Sequence, residues 1–390
     1  MIEKMHVLHV VGAMDIGGIE NMLMTLMPYM REKGIIFDFA VHGDKIGIHE
    51  EKIKKMGGMV YHLPKFIGVN IVSYLNAWWK LLKGHPELKI IHGHMTSTAS
   101  LYLLLAKRCG RVTIAHSHST STSGGQIMYR VKRLLEYPLR YQSDYLCACS
   151  TAAASYRFGK GAYKRNNYFF WHNAIDTEKF KFSAEKRKEY RKKLGIAEHM
   201  VVIGHVGRMI PAKNHKFLLE IFQAYRQINP DSKLLLIGDG ELENKIKKQV
   251  LDCGIKSDVI FTGAVSNPAD YLSTMDVFCF PSVYEGLSVS LIEAQINGKI
   301  CFGSDVIPKE VKISDDLQFI SLKLSAKHWA MQIEKKLTEG RNGENIGNPY
   351  EVQRVSEEAE MFYRNIFLGG RIVKLSATLS QNGPHMVFGS

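Results

Sequence analysis

Short apolar runs alternate with helix-period stretches twice along this chain, and no other feature restricts the fold as much. In the first series, residues 6–11, 37–41, 60–63, 90–92, 112–116 and 145–149 read as strands. Helices are predicted from residue 19, over 48–56, 71–82 and 97–107, and over 150–158. A second series has strands at 201–206, 234–237, 259–262, 277–280 and 300–302, with helices between them and at 325–338 and 351–367. Alternation of this kind builds parallel sheets covered by helices on both faces. A chain of 390 residues is long for one core and fits two such domains.

Ligands of open parallel sheets bind beyond the carboxyl ends of the strands, so the polar loops there hold the candidates. After the first strand, Gly17 and Gly18 open a helix. Their turn is neither the dinucleotide fingerprint nor a Walker loop. The strand at 112–116 ends in His116-Ser117-His118-Ser119, followed by more hydroxyl residues and Gly124-Gly125. Two histidines there can bond ligand hydroxyls or move a proton. His92 and His94 end the preceding strand; no acidic residue accompanies the four, so no metal site is read.

In the second series, the strand at 201–206 runs into Gly207-Arg208, with Lys213-Asn214 before a helix. Arg208 can fork two diphosphate oxygens and Lys213 adds a point charge. Gly238 and Gly240 follow the next strand, and Ser266 closes the loop after 259–262. Residues 277–298 then give a strand, a tight loop at Tyr284-Glu285-Gly286, and a helix from Ser288 with Gly298 as its C-cap. A helix start offers unpaired N–H groups to a phosphate, and Gly286 lets backbone come close to a ligand. Glu285 and Glu293 are spaced to accept hydroxyls at opposite ends of a ligand.

The string Pro-Ser-x-x-Glu-Gly-x-Ser-x-x-x-x-Glu-Ala at 281–294 resembles the signature of glycosyltransferase family 4. Gly-Arg-x-x-x-x-Lys-Asn at 207–214 matches a second family string, and Asn173-Ala174-Ile175-Asp176 with Phe180 resembles the turn between its domains. Ala174 replaces the usual glycine of that turn. The resemblance implies the GT-B fold, an α/β architecture of two Rossmann-like domains with parallel sheets facing across a cleft. It implies retaining transfer of a sugar from a nucleotide-diphosphate donor, most readily a UDP-sugar, to a saccharide or lipid-linked acceptor. Arg208 and Lys213 then take the donor diphosphate, Glu285 the sugar and Glu293 the ribose. The remaining donor contacts fall on Gly17, Gly18, Gly207, Asn214, Gly238, Gly240, Ser266, Tyr284, Gly286, Leu287 and Ser288. His118, preferred to His116, meets a sugar hydroxyl. Asp305-Val-Ile-Pro-Lys-Glu310 departs from the common Gly-x-x-Glu and is similar to the subgroup of capsular and exopolysaccharide assembly.

The domains are expected at 1–178 (acceptor) and 196–345 (nucleotide-sugar), with a helix at 350–367 crossing back. A tail at 368–390 follows, in part vector-derived from the look of Asn382-Gly-Pro-His-Met. No Asp-x-Asp string is present, so neither metal nor another cofactor is expected. The formal charge is +13, with +9 falling in residues 1–178. A basic amphipathic helix at 126–142, with Arg130, Lys132 and Arg133, suggests contact with an anionic membrane or a lipid-diphosphate acceptor. No nucleic-acid signature is found. Scattered cysteines, no membrane-length apolar run and no leader pattern fit a cytoplasmic protein, peripheral at most on the membrane's inner face. Two other readings stay open: a sugar-nucleotide epimerase of the same fold, and a non-catalytic membrane-surface or sugar-binding module.

Overall fold

The structure, a computed structural model, describes residues 4–15, 17–95, 97–120, 126–341 and 347–369. Gly124, Gly125 and residues 370–390 of the tail lie outside these. The chain divides into two compact units, 1–175 with 349–390 and 176–348.

The first unit carries seven parallel strands: β1 (Met5–Val10), β2 (Ile35–His42), β3 (Val60–Leu63), β4 (Ile90–Gly93), β5 (Val112–Ser117), β6 (Tyr145–Ala148) and β7 (Tyr168–Phe170). Their order is β3-β2-β1-β4-β5-β6-β7. All eight residues of β2 are buried, as both faces of a helix-covered sheet require. The helix Gly18–Glu32 buries Met22, Leu23, Leu26, Met27 and Met30, a stripe at helical spacing. Against it packs the helix Val352–Phe367, whose Val355, Ala359, Phe362 and Ile366 join the same core. The chain re-enters this unit where Ile175 N–H donates to the Tyr350 carbonyl and Val352 N–H to that of Ile175.

The second unit has six parallel strands: β8 (Val201–Val206), β9 (Ser232–Ile237), β10 (Val259–Phe261), β11 (Val277–Phe280), β12 (Ile300–Ser304) and β13 (Leu317–Ile320). They run in the order β10-β9-β8-β11-β12-β13. This unit starts at Asp176, well before residue 196. The helix Ala184–Lys193 is locked onto it by Arg187 and Arg191, which grip the two oxygens of Asp276 at 2.6 and 2.7 Å. Arg191 is fully buried in doing so, which its highly charged sequence context conceals.

Both sheets reverse strand order once, between β1 and β4 and between β8 and β11. The loops leaving these strands at their carboxyl ends open a crevice at each reversal, the place where such sheets bind ligands. The strands β7 and β13 were not legible as strands. Each lies at a sheet edge and has three or four residues, too few to show a period.

Candidate active site

Three connections in the second unit tie the loop after β8 to the loop after β11. Val283 N–H donates to the Ala212 carbonyl at 2.9 Å, and the Asn214 side-chain amide donates to the Pro281 carbonyl at 3.1 Å. The third is an ion pair between Lys213 Nζ and Glu285 Oε1 at 2.7 Å, largely shielded from solvent. Lys213 also lies 4.5 Å above the Phe280 ring. Asn214 holds φ +54, the sole left-handed non-glycine residue among those described, and asparagine tolerates that region better than most. Its strain turns the chain from the Pro211–Lys213 turn directly into the helix His215–Arg226. Arg208 stands exposed at the tip of the same loop.

The glycines do more specific work than permitting a ligand nearby. A Cβ on Gly207 would sit 3.0 Å from His205 Nε2 and 3.3 Å from the Lys213 stem, so the glycine makes room for both side chains. Gly240, at φ +152, would drive a Cβ to 2.7 Å from the Met209 carbonyl. Gly238, at φ +125, faces the Gly207 carbonyl and donates its N–H to Gly263. These residues let the loops after β8, β9 and β10 pack backbone to backbone.

Gly286, Leu287 and Ser288 are buried and lead into the helix Val289–Ile296, with Ser288 as N-cap. The Ser288 Oγ is buried without a hydrogen-bond partner and makes no capping bond. Gly298 takes φ +71 just past the helix, which ends on Asn297. One and a half turns in, burial raises the Glu293 carboxyl to about 7, and Lys179 draws it partly back down. Tyr284 and Ser266 are exposed on the rims of their loops.

In the first unit, Gly17 is the N-cap of the helix Gly18–Glu32, and a Cβ there would meet the Glu20 carboxylate; Gly18 faces open space. At the carboxyl ends of β1, β4 and β5 five histidines assemble: His9, His92, His94, His116 and His118. His9 Nδ1 lies 2.9 Å from His94 Nε2, and His94 Nδ1 lies 2.8 Å from His118 Nε2. A second string joins Tyr363 Oη, His92 Nδ1 at 2.7 Å, and His92 Nε2 to His116 Nδ1 at 3.0 Å. Burial, reinforced by the neighbouring imidazoles, holds His9, His92, His94 and His116 well below the usual histidine range. Burial also brings His118 down to about 3, so all five are neutral at pH 7. His116 is wholly buried and His118 partly exposed, so His118 is the one able to meet a ligand.

Ligand atoms of His9, His92 and His94, and of His94, His116 and His118, fall within 4.8 Å of one another, close enough to be considered for a metal ion. The 2.8–2.9 Å contacts already engage many of these nitrogens with each other. Those spacings suit imidazole hydrogen bonds and are short for two ligands of one ion with metal–nitrogen distances near 2.0–2.1 Å.

The helix Gln126–Glu136 ends before Pro138, and a short second helix follows at Leu139–Gln142. Ile127, Val131 and Leu134 lie along one of its faces, all exposed, Ile127 to 82%. Arg130 is exposed beside them. Arg133 is engaged within the protein: it donates to the Tyr156 carbonyl at 2.9 Å and covers that ring. No helix among the described residues is long and apolar enough to cross a membrane.

The profile described as Glycosyltransferase Family 4 matches residues 16–179, and that described as Glycosyl transferases group 1 matches 186–349. EpsF of Bacillus subtilis (strain 168) is 31% identical over 339 residues, which span 86% of this chain and 88% of EpsF. The chain belongs to glycosyltransferase family 4. The capsular polysaccharide biosynthesis glycosyltransferase CapH of Staphylococcus aureus is 24% identical, over 92% of this chain and 98% of CapH. Among solved structures, Anabaena Alr3699/HepE in complex with UDP and glucose superposes with a TM-score of 0.69 at 16% identity, covering 92% and 94% of the two chains. That likeness establishes the GT-B architecture of this family 4 member.

Sequence reasoning on this glycosyltransferase missed His9, Lys179 and the pairing of Lys213 with Glu285. The histidine string and the Lys213–Glu285 pair depend on which strands are neighbours, and Lys179 nears Glu293 because its helix Thr177–Phe180 packs on Val289–Ile296. His9 meets the other histidines because β1 pairs with β4, and Lys213 meets Glu285 because β8 pairs with β11. A histidine close to the end of the first strand was the available signal for His9.

Proposed function

We propose that this enzyme transfers a sugar, with retention of configuration, from a nucleotide-diphosphate donor to a saccharide or lipid-linked acceptor in assembly of a bacterial surface polysaccharide. One observation carries the donor site. A strand-order reversal gathers Arg208, the Lys213–Glu285 pair and the unsatisfied Ser288 Oγ at a helix start. A diphosphate suits that set, with Lys213 and Arg208 supplying positive charge to the leaving group and the helix start supplying N–H groups. Glu285 pairs with Lys213 in the absence of ligand, so neither charge is buried alone. Diphosphate binding draws Lys213 away and leaves Glu285 to accept from a sugar hydroxyl. Glu293 takes the ribose hydroxyls.

Two cations at the diphosphate support departure without a metal ion. The acceptor hydroxyl attacks the anomeric carbon from the face the diphosphate leaves. The new C–O bond forms as the old one breaks, and the hydroxyl proton passes to the departing phosphate oxygen. The UDP bound by HepE supports uridine as the donor base. The exposed Ile127, Val131 and Leu134 with Arg130 support a membrane-bound lipid acceptor, since such a face suits an anionic lipid surface.

Calorimetric titration with UDP, GDP, ADP and CMP in EDTA tests the donor site. Tight binding of one nucleoside diphosphate is expected, and it names the donor class. A folded protein that binds none would remove the site on which the proposal stands and favour a non-catalytic binding module.

A further inference from the structure

His9, His94 and His118 form a string of neutral imidazoles, and a neutral imidazole has one N–H donor and one bare acceptor nitrogen. Donation along such a string runs in one direction or the other; mixed arrangements leave two lone pairs or two hydrogens facing each other. The ends of the string choose between the two directions. At the inner end, His9 Nε2 is buried and has no hydrogen-bond partner. Around the His9 imidazole lie the rings of Phe37 at 4.2 Å, His92 and His94 at 5.2 Å, Phe39 at 5.8 Å and Tyr363 at 6.4 Å between centroids, and none of them gives Nε2 a hydrogen-bond partner. A buried N–H without a partner forfeits its hydration, and such donors are rarer in proteins than under-satisfied acceptors. His9 Nε2 is therefore the bare nitrogen. His9 Nδ1–H donates to His94 Nε2, and His94 Nδ1–H donates to His118 Nε2.

We propose that His9 and His94 act as positioning residues that lock His118 in the Nδ1–H tautomer, so that His118 meets its substrate as a hydrogen-bond donor and not as a base. The atom it recognises is an oxygen with a lone pair, a sugar hydroxyl or a phosphate oxygen. The second string isolates His118 further. His116 is wholly buried and bonded to His92, so it competes neither for His94 nor for a ligand. This inference rests on the sugar-hydroxyl contact that the family resemblance implies for His118, but its primary readout does not.

The test is nitrogen-resolved NMR of histidine-labelled full-length protein in EDTA, with the His118 signals assigned by loss in His118→Gln. The expected spectrum shows His118 protonated at Nδ1 and bare at Nε2 throughout pH 6–8. In His94→Phe the two tautomers of His118 should average. Sugar transfer should then slow about tenfold. A hydrogen on His118 Nε2 or on His9 Nε2 in the wild type would overturn the inference. So would a His118 tautomer indifferent to His94→Phe. If that variant does not fold, the wild-type spectrum still decides. Failure of any nucleoside diphosphate to bind would count against the donor site alone, because the tautomer is read without ligand.

Discussion

The two units share a sheet design and a single strand-order reversal, yet they arm the carboxyl ends of their strands in opposite ways. The second unit places full charges there, with Lys213 against Glu285 and Arg208 in solvent. The first unit places five imidazoles there, all held neutral by burial. The difference follows from what each end can tolerate. A lysine and a carboxylate remain charged in a half-buried loop because they face each other. Histidines can shed their charge at little cost and then bond to one another without any counter-ion. Charge suits a diphosphate, and neutral donors and acceptors suit hydroxyls.

The comparison is tested hardest at Lys213. Lys213→Met removes a cation and takes from Glu285 its lysine beside the proposed phosphates, so transfer should slow about 100-fold, from charged contacts worth about 1.5–3 kcal/mol. A loss below threefold would show that the charged end is not where the donor sits. A backbone change at the same edge comes next. Gly240→Ala places a Cβ against Met209 at a left-handed φ and should cost about 1–3 kcal/mol of stability, seen as a lowered Tm. An unchanged Tm would mean that the loops do not pack as closely as described.

Arg208→Ala should slow transfer by about tenfold, less than Lys213→Met, because Arg208 is exposed and leaves no buried partner behind. Its Tm should stay near wild type; a large drop would assign Arg208 to folding rather than to the donor. The smallest effect is a pH dependence. Glu293 is raised from the ordinary 4.5 to about 7 in the folded protein, so the unfolded chain releases this proton first as pH rises. Its contribution to stability is therefore fully present below 4.5 and is lost as pH climbs to about 7. Nucleoside diphosphate affinity should move the other way, strengthening a few-fold from pH 6 to 8 as the carboxylate forms and accepts ribose hydroxyls. Glu293→Gln should flatten that dependence, and a slope surviving in the variant would assign the titration to another group.

Much of the loop edge of the second unit was legible because it is local. The strings at 207–214 and 281–294 each run from a strand through a loop to a helix start, so sequence order and spatial order coincide over a few residues. The glycines were legible as turn formers, but their contacts across loops were not. Arg133 shows the converse limit. By pattern it belongs to a solvated basic face, and by tertiary contact it is spent on the Tyr156 carbonyl and ring.

The sequence by itself determined two helix-covered parallel sheets and the polar loops at their carboxyl ends, since hydrophobic period and loop residues act within single elements. Tertiary structure alone decided that Lys213 faces Glu285, that Lys179 lies near Glu293, and that His9 completes a string ending at His118. Those outcomes depend on strand order and on helix packing, both set by how whole elements pack, which no local run of residues encodes.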